Sequence, residues 1–547
     1  MSQCAPVYGP SDTSSTPRAR DVNDDDRTPT PSDAGHSVLR TGTVVAALFA
    51  VCLAQIGLAM PATLNGIFQQ DLHPVGSQLT WISDCSLLPI TVLELTFGVL
   101  GDLFGRKRLL MGGAALLAVG EVVSGTTAGV HQMWLGQIVA GLGCAALFPT
   151  SLAMLVAGLG THARRARMIA LWAAILSTGN FLAPLLGGLT ATYGAWRWAF
   201  FVVVILAVGD MAVSWFTAQD SRSPEGRSLD PAGQTTVGIG LFALLFAVIQ
   251  GASDGWGDPL VVGAFVVAAV FIGAFVVVEL RVRDPLLRLG LFRNRSFAVA
   301  AGVTVVGMFA FLGTAFSTSL RMGPVQHQSS LRTAVAFLLL SGLTIFLLPL
   351  TRRLMAVLEP RWLLGIGFLL MAAGDFLAGA LPITDTALPS LVLPLGLVGV
   401  GFSLAVSSVT DTVVGTVPQH LAGMASATTS MLRDFGFTLG PAVIGAVAAA
   451  RSAGTFGDSL AASSLSPAVK TAAGQLAHAA GSPFAVLDEP PTSAAGQASS
   501  VALHALGTGY ALGYVVSGAA ALLCCLFTVF ALGRRHQGQP AEEPAVA

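Results

Sequence analysis

Gly98-Val99-Leu100-Gly101-Asp102-Leu103-Phe104-Gly105-Arg106-Lys107-Arg108 is the stretch whose reading decides the fold. It is a short charged turn wedged between two long apolar runs, about 80–100 and 109–129. Gly98, Gly101 and Gly105 carry no side chain, so two helices can approach closely and the chain can reverse at once. Asp102 sits beside the basic cluster Arg106, Lys107 and Arg108, which marks the turn as cytoplasmic by the positive-inside rule.

On either side of this turn the chain is made of apolar runs of about 20 residues, each enough to cross roughly 30 Å of hydrocarbon. Fourteen are expected: about 42–66, 80–100, 109–129, 133–158, 168–192, 197–217, 234–252, 260–280, 296–320, 332–350, 362–381, 390–414, 422–449 and 504–532. With a cytoplasmic N-terminus, this alternation places 22 of the 28 basic residues inside, tails included, and 5 outside, and leaves Arg433 in the membrane. A single missed or invented span would scramble the bias, so the count predicts a multi-pass cell-membrane protein with both termini cytoplasmic.

Composition agrees. Of 547 residues 53% are hydrophobic and 10% charged, with mean hydropathy +0.73; a soluble protein carries roughly 25% charged residues. The formal charge of −1 and the dispersal of basic residues among short turns give no case for nucleic acid. There is no G-x-x-x-x-G-K-S/T nucleotide loop, no Ser/His/Asp arrangement and no metal-ligand spacing, so neither an enzyme, a metal site nor a cofactor is expected. Six cysteines (4, 52, 85, 144, 524, 525) show no paired spacing, and Cys52, Cys85 and Cys144 read as small packing residues inside spans.

The ends and turns differ from the spans. Residues 1–40 hold a Ser-, Thr-, Pro- and Asp-rich run that includes Asp24, Asp25 and Asp26, so a disordered cytoplasmic tail without a cleavable signal is expected there. Trp81, Trp134, Trp196, Trp198 and Trp256 at outer ends, and Trp215 and Trp362 at inner ends, read as interfacial anchors. Residues 451–503 are rich in Ala, Ser, Gly and Pro, and are expected to be an extracellular surface insertion with short helices around Leu465–Leu476. The segment Asp284-Pro285-Leu286-Leu287-Arg288-Leu289-Gly290-Leu291-Phe292-Arg293-Asn294-Arg295-Ser296-Phe297 has the amphipathic character of a helix lying on the inner membrane face.

The spacing G-x-L-G-D-x-x-G-R-K-R resembles the loop between helices 2 and 3 of the major facilitator superfamily. Together with fourteen spans and the 284–297 segment, it is similar to the fourteen-helix drug:proton antiporters of that superfamily. The resemblance implies an all-α membrane protein of major facilitator fold: an N-terminal six-helix half (41–217), a linker with two inserted helices (218–295), a C-terminal six-helix half (296–532) and a cytoplasmic tail (533–547). It also implies alternating access, with the proton gradient as energy source, a small-molecule substrate and the lipid bilayer as partners, and a monomer. A faint internal repeat agrees, because Thr351–Arg361 occupies in the second half the place of the Gly101–Arg108 turn, with its glycines and acid gone.

Span 5 carries the antiporter-type pattern Gly179-Asn180-Phe181-Leu182-Ala183-Pro184-Leu185-Leu186-Gly187-Gly188, with Ala183 where the family has Gly. Three departures bear on coupling. Cys52 stands where the family usually has an aspartate, and Gln137 and Ala140 stand in the span 4 pattern where the family has Arg and Gln. Val202 or Val203 replaces an Asn. Any proton site must then lie elsewhere, or the carrier is uncoupled.

An ionisable group in a span costs at least a few kcal/mol, so each is a functional candidate. Asp84, in Trp81-Ile82-Ser83-Asp84-Cys85-Ser86, and Asp434, in Met431-Leu432-Arg433-Asp434-Phe435-Gly436, resemble acids of the quaternary-ammonium and disinfectant exporters. Other acids of those exporters are replaced by Thr429, Ser430 and Leu343. For Asp84 the rival explanation is a solvated acid at a helix end. For Asp434 it is a structural pair with Arg433, although consecutive residues point about 100° apart and are expected to find separate partners. Glu94 shares a face with Gly98 and Gly101, so it either lines a cavity or pairs with a helix resting on that face. Glu121, Asp210 and Asp375 read as packing or lining residues, and Asp411 as a solvated one. Asp84, Glu94, Arg433 and Asp434 are thus the proton or substrate candidates. By the resemblance, Gly98, Gly101, Asp102, Gly105, Arg106 and Lys107 form a cytoplasmic gate, with Asp102 pairing across it.

The sequence is read as an exporter of small apolar or cationic compounds in exchange for protons. The alternatives are an uncoupled or uptake carrier of the same superfamily, suggested by Cys52 and Gln137, and a membrane sensor or scaffold on a transporter fold.

Overall fold

Hydrocarbon cannot hydrogen-bond a backbone, so an apolar chain crosses it as helix or as closed barrel. In the computed structural model, residues 40–531 are described, apart from 158, 160, 161, 223–228, 283, 284, 415, 416 and 418–421. Every regular element among them is a helix, and fourteen are long and apolar enough to cross a membrane. Spans 1 to 4 are Thr41–Thr63, Gln78–Phe104, Arg106–Gly125 and Val130–Val156. Spans 5 to 8 are Arg167–Thr192, Arg197–Thr217, Pro231–Asp254 and Pro259–Glu279. Spans 9 to 11 are Arg295–Val325, Ser330–Met355 and Pro360–Ala380. Spans 12 to 14 are Leu388–Val409, Thr428–Ala462 and Gly496–Ala531. The expected tails, Cys4, Asp284 and the side chain of Asp411 lie outside the described residues.

Local chemistry sets several of the ends. Asp230 and Asp258 accept from backbone N–H groups at the starts of spans 7 and 8, each with proline at the first helical position. Asn294 caps span 9 through Ser296 N at 3.0 Å and Phe297 N at 3.4 Å. Gly105 ends span 2 at φ 110°, a conformation that L side chains rarely adopt.

Two large apolar clusters hold the bundle. One draws chiefly on spans 1, 3, 4 and 6 and includes Leu53, Leu117, Met133 and Phe200. The other draws chiefly on spans 9, 11, 12 and 14 and includes Phe297, Met308, Phe368, Leu395 and Ala521. Spans 7 and 8 pack on each other, and span 7 leans on span 2. There Gln234 donates to Val92 O and accepts from Thr96 Oγ1. Span 8 keeps Val262, Val266, Val270 and Val277 exposed, as suits a helix facing lipid.

Three expectations change. Trp81 and Trp196 are packed inside rather than placed at an interface. Trp81 meets Trp134, Phe242 and Phe246, while Trp196 meets Phe68 and Phe200 and donates to Asp71 Oδ2 at 2.7 Å. In segment 284–297, only the short turn Leu289–Arg293 forms between 285 and the start of span 9 at Arg295, because Leu287 and Leu291 are drawn into the protein rather than laid on a surface. In the insertion 451–503 the short helix expected around Leu465–Leu476 is present, but the segment folds further than a surface loop. Span 13 continues through Ala462, helix Pro467–Ala479 follows, and Phe456, Leu460, Val469, Ala473 and Val486 form an apolar core of their own. This cap reaches span 2 and the helix Asn65–Leu72 before it: Gly76 N donates to Ala480 O at 2.9 Å and Gln69 Nε2 to Asp488 Oδ2 at 3.0 Å.

Candidate functional site

Spans 1, 2, 4 and 5 on one side and 9, 10, 12 and 13 on the other enclose a cavity of about 470 Å³. Its wall is mostly aliphatic, with seven aromatic side chains set into it: Phe148, Trp172, Phe311, Phe316, Phe337, Phe402 and Phe437. Phe311 stacks on Phe402 with ring centroids 3.5 Å apart. Gln55, Gln137, Asn180, Ser83, Ser341 and Ser430 add uncharged polar groups. The charged lining residues are Glu94, Arg433 and Asp434.

The cavity is closed at the end that carries Asn65. Asn65 Nδ2 donates to Ser319 Oγ at 2.9 Å, and Ser319 Oγ donates to Ala62 O. A Cβ on Gly66 would lie 2.8 Å from Gly323 Cα, so only glycine allows these two backbones to meet. Toward the opposite end, where Gly105 lies, the lining continues to Ile169 and Leu348.

Within the cavity the structure brings three of the four sequence candidates together. Arg433 Nε donates to Asp434 Oδ1 at 2.9 Å and its second nitrogen to Oδ2 at 3.3 Å. The expectation of separate partners is therefore corrected. The 100° offset separates the Cβ atoms, but the long Arg433 stem folds back and lays its planar fork on the neighbouring carboxylate. Glu94 of span 2 stands beside Asp434, close enough for their carboxyls to interact, and its Oε2 has no partner among the described residues. Of the two roles open to Glu94, lining the cavity is the one observed. Thr91 ties the two helices at this level, donating to Asp434 O at 3.0 Å and meeting Thr438 Oγ1 at 2.6 Å.

Asp84 is not in this group. It is fully buried, does not border the cavity, and neither carboxyl oxygen has a partner among the described residues. Thr80, Asp84 and Thr91 share one face of span 2, and both threonines touch span 13, so Asp84 is packed toward that helix. The solvated-end explanation is excluded. Glu121, Asp210 and Asp375 are also fully buried away from the cavity.

The Gly98–Arg108 turn docks on the end of span 6 and the chain that follows it. Arg106 pairs with Asp102 at 2.8 Å, its backbone N donates to Ser221 O at 3.1 Å, and Lys107 Nζ donates to Trp215 O at 2.7 Å. A Cβ on Gly105 would lie 2.7 Å from the Asp220 carboxylate, while Gly98 and Gly101 face Pro149 and Thr150 of span 4. In span 5, Gly179 and Gly187 abut span 1 at Gln55 and Thr63, and Gly188 abuts Ala334 of span 10. Pro184 borders the cavity. The pair Gln55–Asn180, joined at 2.8 Å, escaped the sequence reading, although two amides inside apolar spans were the visible signal.

Fourteen membrane-length helices, eight of them lining one apolar cavity with a charged group in it, define a multi-pass membrane transporter. The model of the Major Facilitator Superfamily matches residues 47–441, and the chain belongs to that superfamily, whose members are transporters and not enzymes. The chain is 26% identical over 494 residues to the tetracenomycin C resistance and export protein of Streptomyces glaucescens, covering 89% of this chain and 91% of that one. It is 29% identical over 422 residues to the puromycin resistance protein pur8 of Streptomyces alboniger, covering 75% and 83%. A solved structure from work on substrate recognition in proton dependent oligopeptide transporters shares the fold, with a TM-score of 0.56, 16% identity, and coverage of 90% of this chain and 99% of that one.

Proposed function

We propose that this transporter exports small apolar or cationic compounds, antibiotics among them, in exchange for protons, by alternating exposure of the cavity to the two membrane faces. The Gly105 end is the cytoplasmic one in this reading, with both termini on that side, a monomer as the working unit and the proton gradient as energy source. Two carboxyls, Glu94 and Asp434, stand side by side with one guanidinium, that of Arg433, which is bonded to Asp434. That observation carries the proposal. With both acids ionised, the group is one positive charge short in a site where unbalanced charge is costly. A proton or a cationic substrate can supply the missing charge, and one displaces the other, which is the elementary step of exchange. The aromatic side chains in the wall give an apolar or cationic compound a tolerant surface. The resistance and export proteins among the relatives support this direction of transport.

A carrier without proton coupling is the second reading, favoured by the neutral Cys52 and by Gln137, whose amide donates to Ser124 Oγ at 3.1 Å. Proteoliposomes separate the readings. Exchange predicts that an imposed pH gradient drives substrate accumulation and that substrate flow moves protons. Uncoupled transport shows flow without proton movement, and a sensor or scaffold shows no flow. Export of cations further predicts that Glu94→Gln weakens binding of cationic substrates and leaves binding of neutral ones unchanged.

A further inference from the structure

Among the acids buried away from the cavity, Glu121 and Asp375 lie behind cavity-lining helices on opposite sides of the bundle. Glu121 and Asp375 are each the sixteenth residue of their spans, which begin at Arg106 and Pro360. Both are 0% exposed, and neither borders the cavity. Each presses on span 1 or span 9 at the same register. Gly66 and Gly323, which meet at the closed end, fix that register, and nine residues before them stand Gly57 and Thr314. Glu121 Oε1 lies 3.0 Å from where a Cβ on Gly57 would be, and Asp375 Oδ1 lies 2.6 Å from Thr314 Oγ1. The second-half turn at 351–361 has lost the glycines and acid of the first-half turn, yet this acid stands in both halves.

The hydrogens at Thr314 can be counted. Its hydroxyl has one, but its oxygen is within bonding distance of Ala310 O at 2.9 Å and of Asp375 Oδ1 at 2.6 Å. With Thr314 as sole donor one hydrogen is split between two acceptors, whereas both contacts are full two-centre hydrogen bonds when Asp375 carries the second hydrogen. Asp375 Oδ2 and both Glu121 oxygens have no partner among the described residues. An ionised carboxylate without water or cation there is costly. Facing Glu121 are Cys144 of span 4, Gly57 of span 1 and Val203 of span 6, with Cys52 and Asp210 farther along those last two helices. Near Asp375 are Tyr514 of span 14, bonded to Thr318 at 2.9 Å, and Arg321 of span 9. Arg321 is held by the carbonyls of Ala378, Leu381 and Pro382. Span 12 offers Pro394 and Val398, neither titratable.

We propose that Glu121 and Asp375 are matched proton-binding latches, one per half, that hold spans 1 and 9 in the conformation closed at the Asn65 end. Opening that end admits water; the acid O–H bond breaks and the proton passes to water, leaving a solvated carboxylate. The latch deepens the proton-exchange reading and rests on it for its purpose.

The test is an infrared titration of the purified full chain carrying Asn65→Cys and Ser319→Cys, with the cross-link reduced and oxidised. Neutral-acid carbonyl bands are expected at neutral pH, one lost in Glu121→Gln and one in Asp375→Asn. Should either variant not fold, Thr314→Val assigns the second band by shifting its frequency. Oxidation is expected to raise the pH at which both bands vanish by about one unit, equivalent to a tenfold coupling. Bands absent at neutral pH, or titrating identically in both states, overturn the latch. Proton movement in wild-type proteoliposomes is scored separately: its absence with a shifted titration removes exchange and leaves the latch standing.

Discussion

The Gly98–Arg108 turn and the Glu94–Arg433–Asp434 group share span 2, with two helical turns between Glu94 and Gly101, and they handle charge in opposite ways. In the turn, charges are answered on the spot: Asp102 by Arg106, Lys107 by Trp215 O, and Asp220 by the Lys107 backbone N–H at 3.2 Å. In the cavity, two adjacent carboxyls have one guanidinium beside them, bonded to Asp434, and Glu94 Oε2 has no partner among the described residues. A satisfied group fixes geometry. An unsatisfied one in low dielectric is poised to take up a charge from outside. The comparison teaches that the conspicuous motif is the scaffold and the inconspicuous trio is the chemistry.

Substitutions can break that contrast. Asp434→Asn leaves Glu94 alone with Arg433, a balanced pair with no vacancy for a proton, so proton movement driven by substrate should fall by about a hundredfold, the lower range for losing a proton-transfer group. Binding of a neutral substrate, measured by fluorescence quenching, should survive. In the turn, Gly105→Ala forces a side chain into φ 110° and toward Asp220. That should cost about 2 kcal/mol of stability in a detergent unfolding series, with little change in transport per folded molecule. Glu94→Gln should weaken a cationic substrate by about tenfold, or about 1.4 kcal/mol, and leave a neutral one unchanged. Smallest, Asp102→Asn weakens a pair whose members are 8% and 12% exposed; it should cost about 1 kcal/mol in the same unfolding series. A transport loss in Gly105→Ala larger than in Asp434→Asn would reverse the assignment of roles.

Much of this was legible in the sequence, and what was hidden has physical causes. Hydrophobic run length and the sidedness of Arg and Lys predicted fourteen spans, because hydrocarbon thickness and backbone satisfaction leave few alternatives. Glu94, Arg433 and Asp434 stood out as charges where charge is expensive. Their meeting was not legible, since it depends on span 2 crossing span 13 and on Arg433 folding back, both matters of long-range packing and rotamer. Trp81 and Trp196 were misplaced for the same reason: a tryptophan at a helix end is an anchor or a packing residue according to its neighbours, here Phe242 and Phe246, or Phe68 and Phe200. In 451–503 a short helix was legible around Leu465–Leu476, but the apolar core that makes the segment a cap was hidden because Ala and Ser are sparse signals, although that core needs only a few apolar side chains such as Phe456 and Val486.

One measurement bears on the central claim more directly than any other. Wild-type and Asp434→Asn protein are placed in separate proteoliposomes, and internal pH is followed while substrate is driven across the membrane. Proton movement opposite to substrate in the wild type, absent in Asp434→Asn with binding of a neutral substrate retained, is the predicted result. Equal proton movement in both would contradict the account, and would move the exchange site away from the cavity trio.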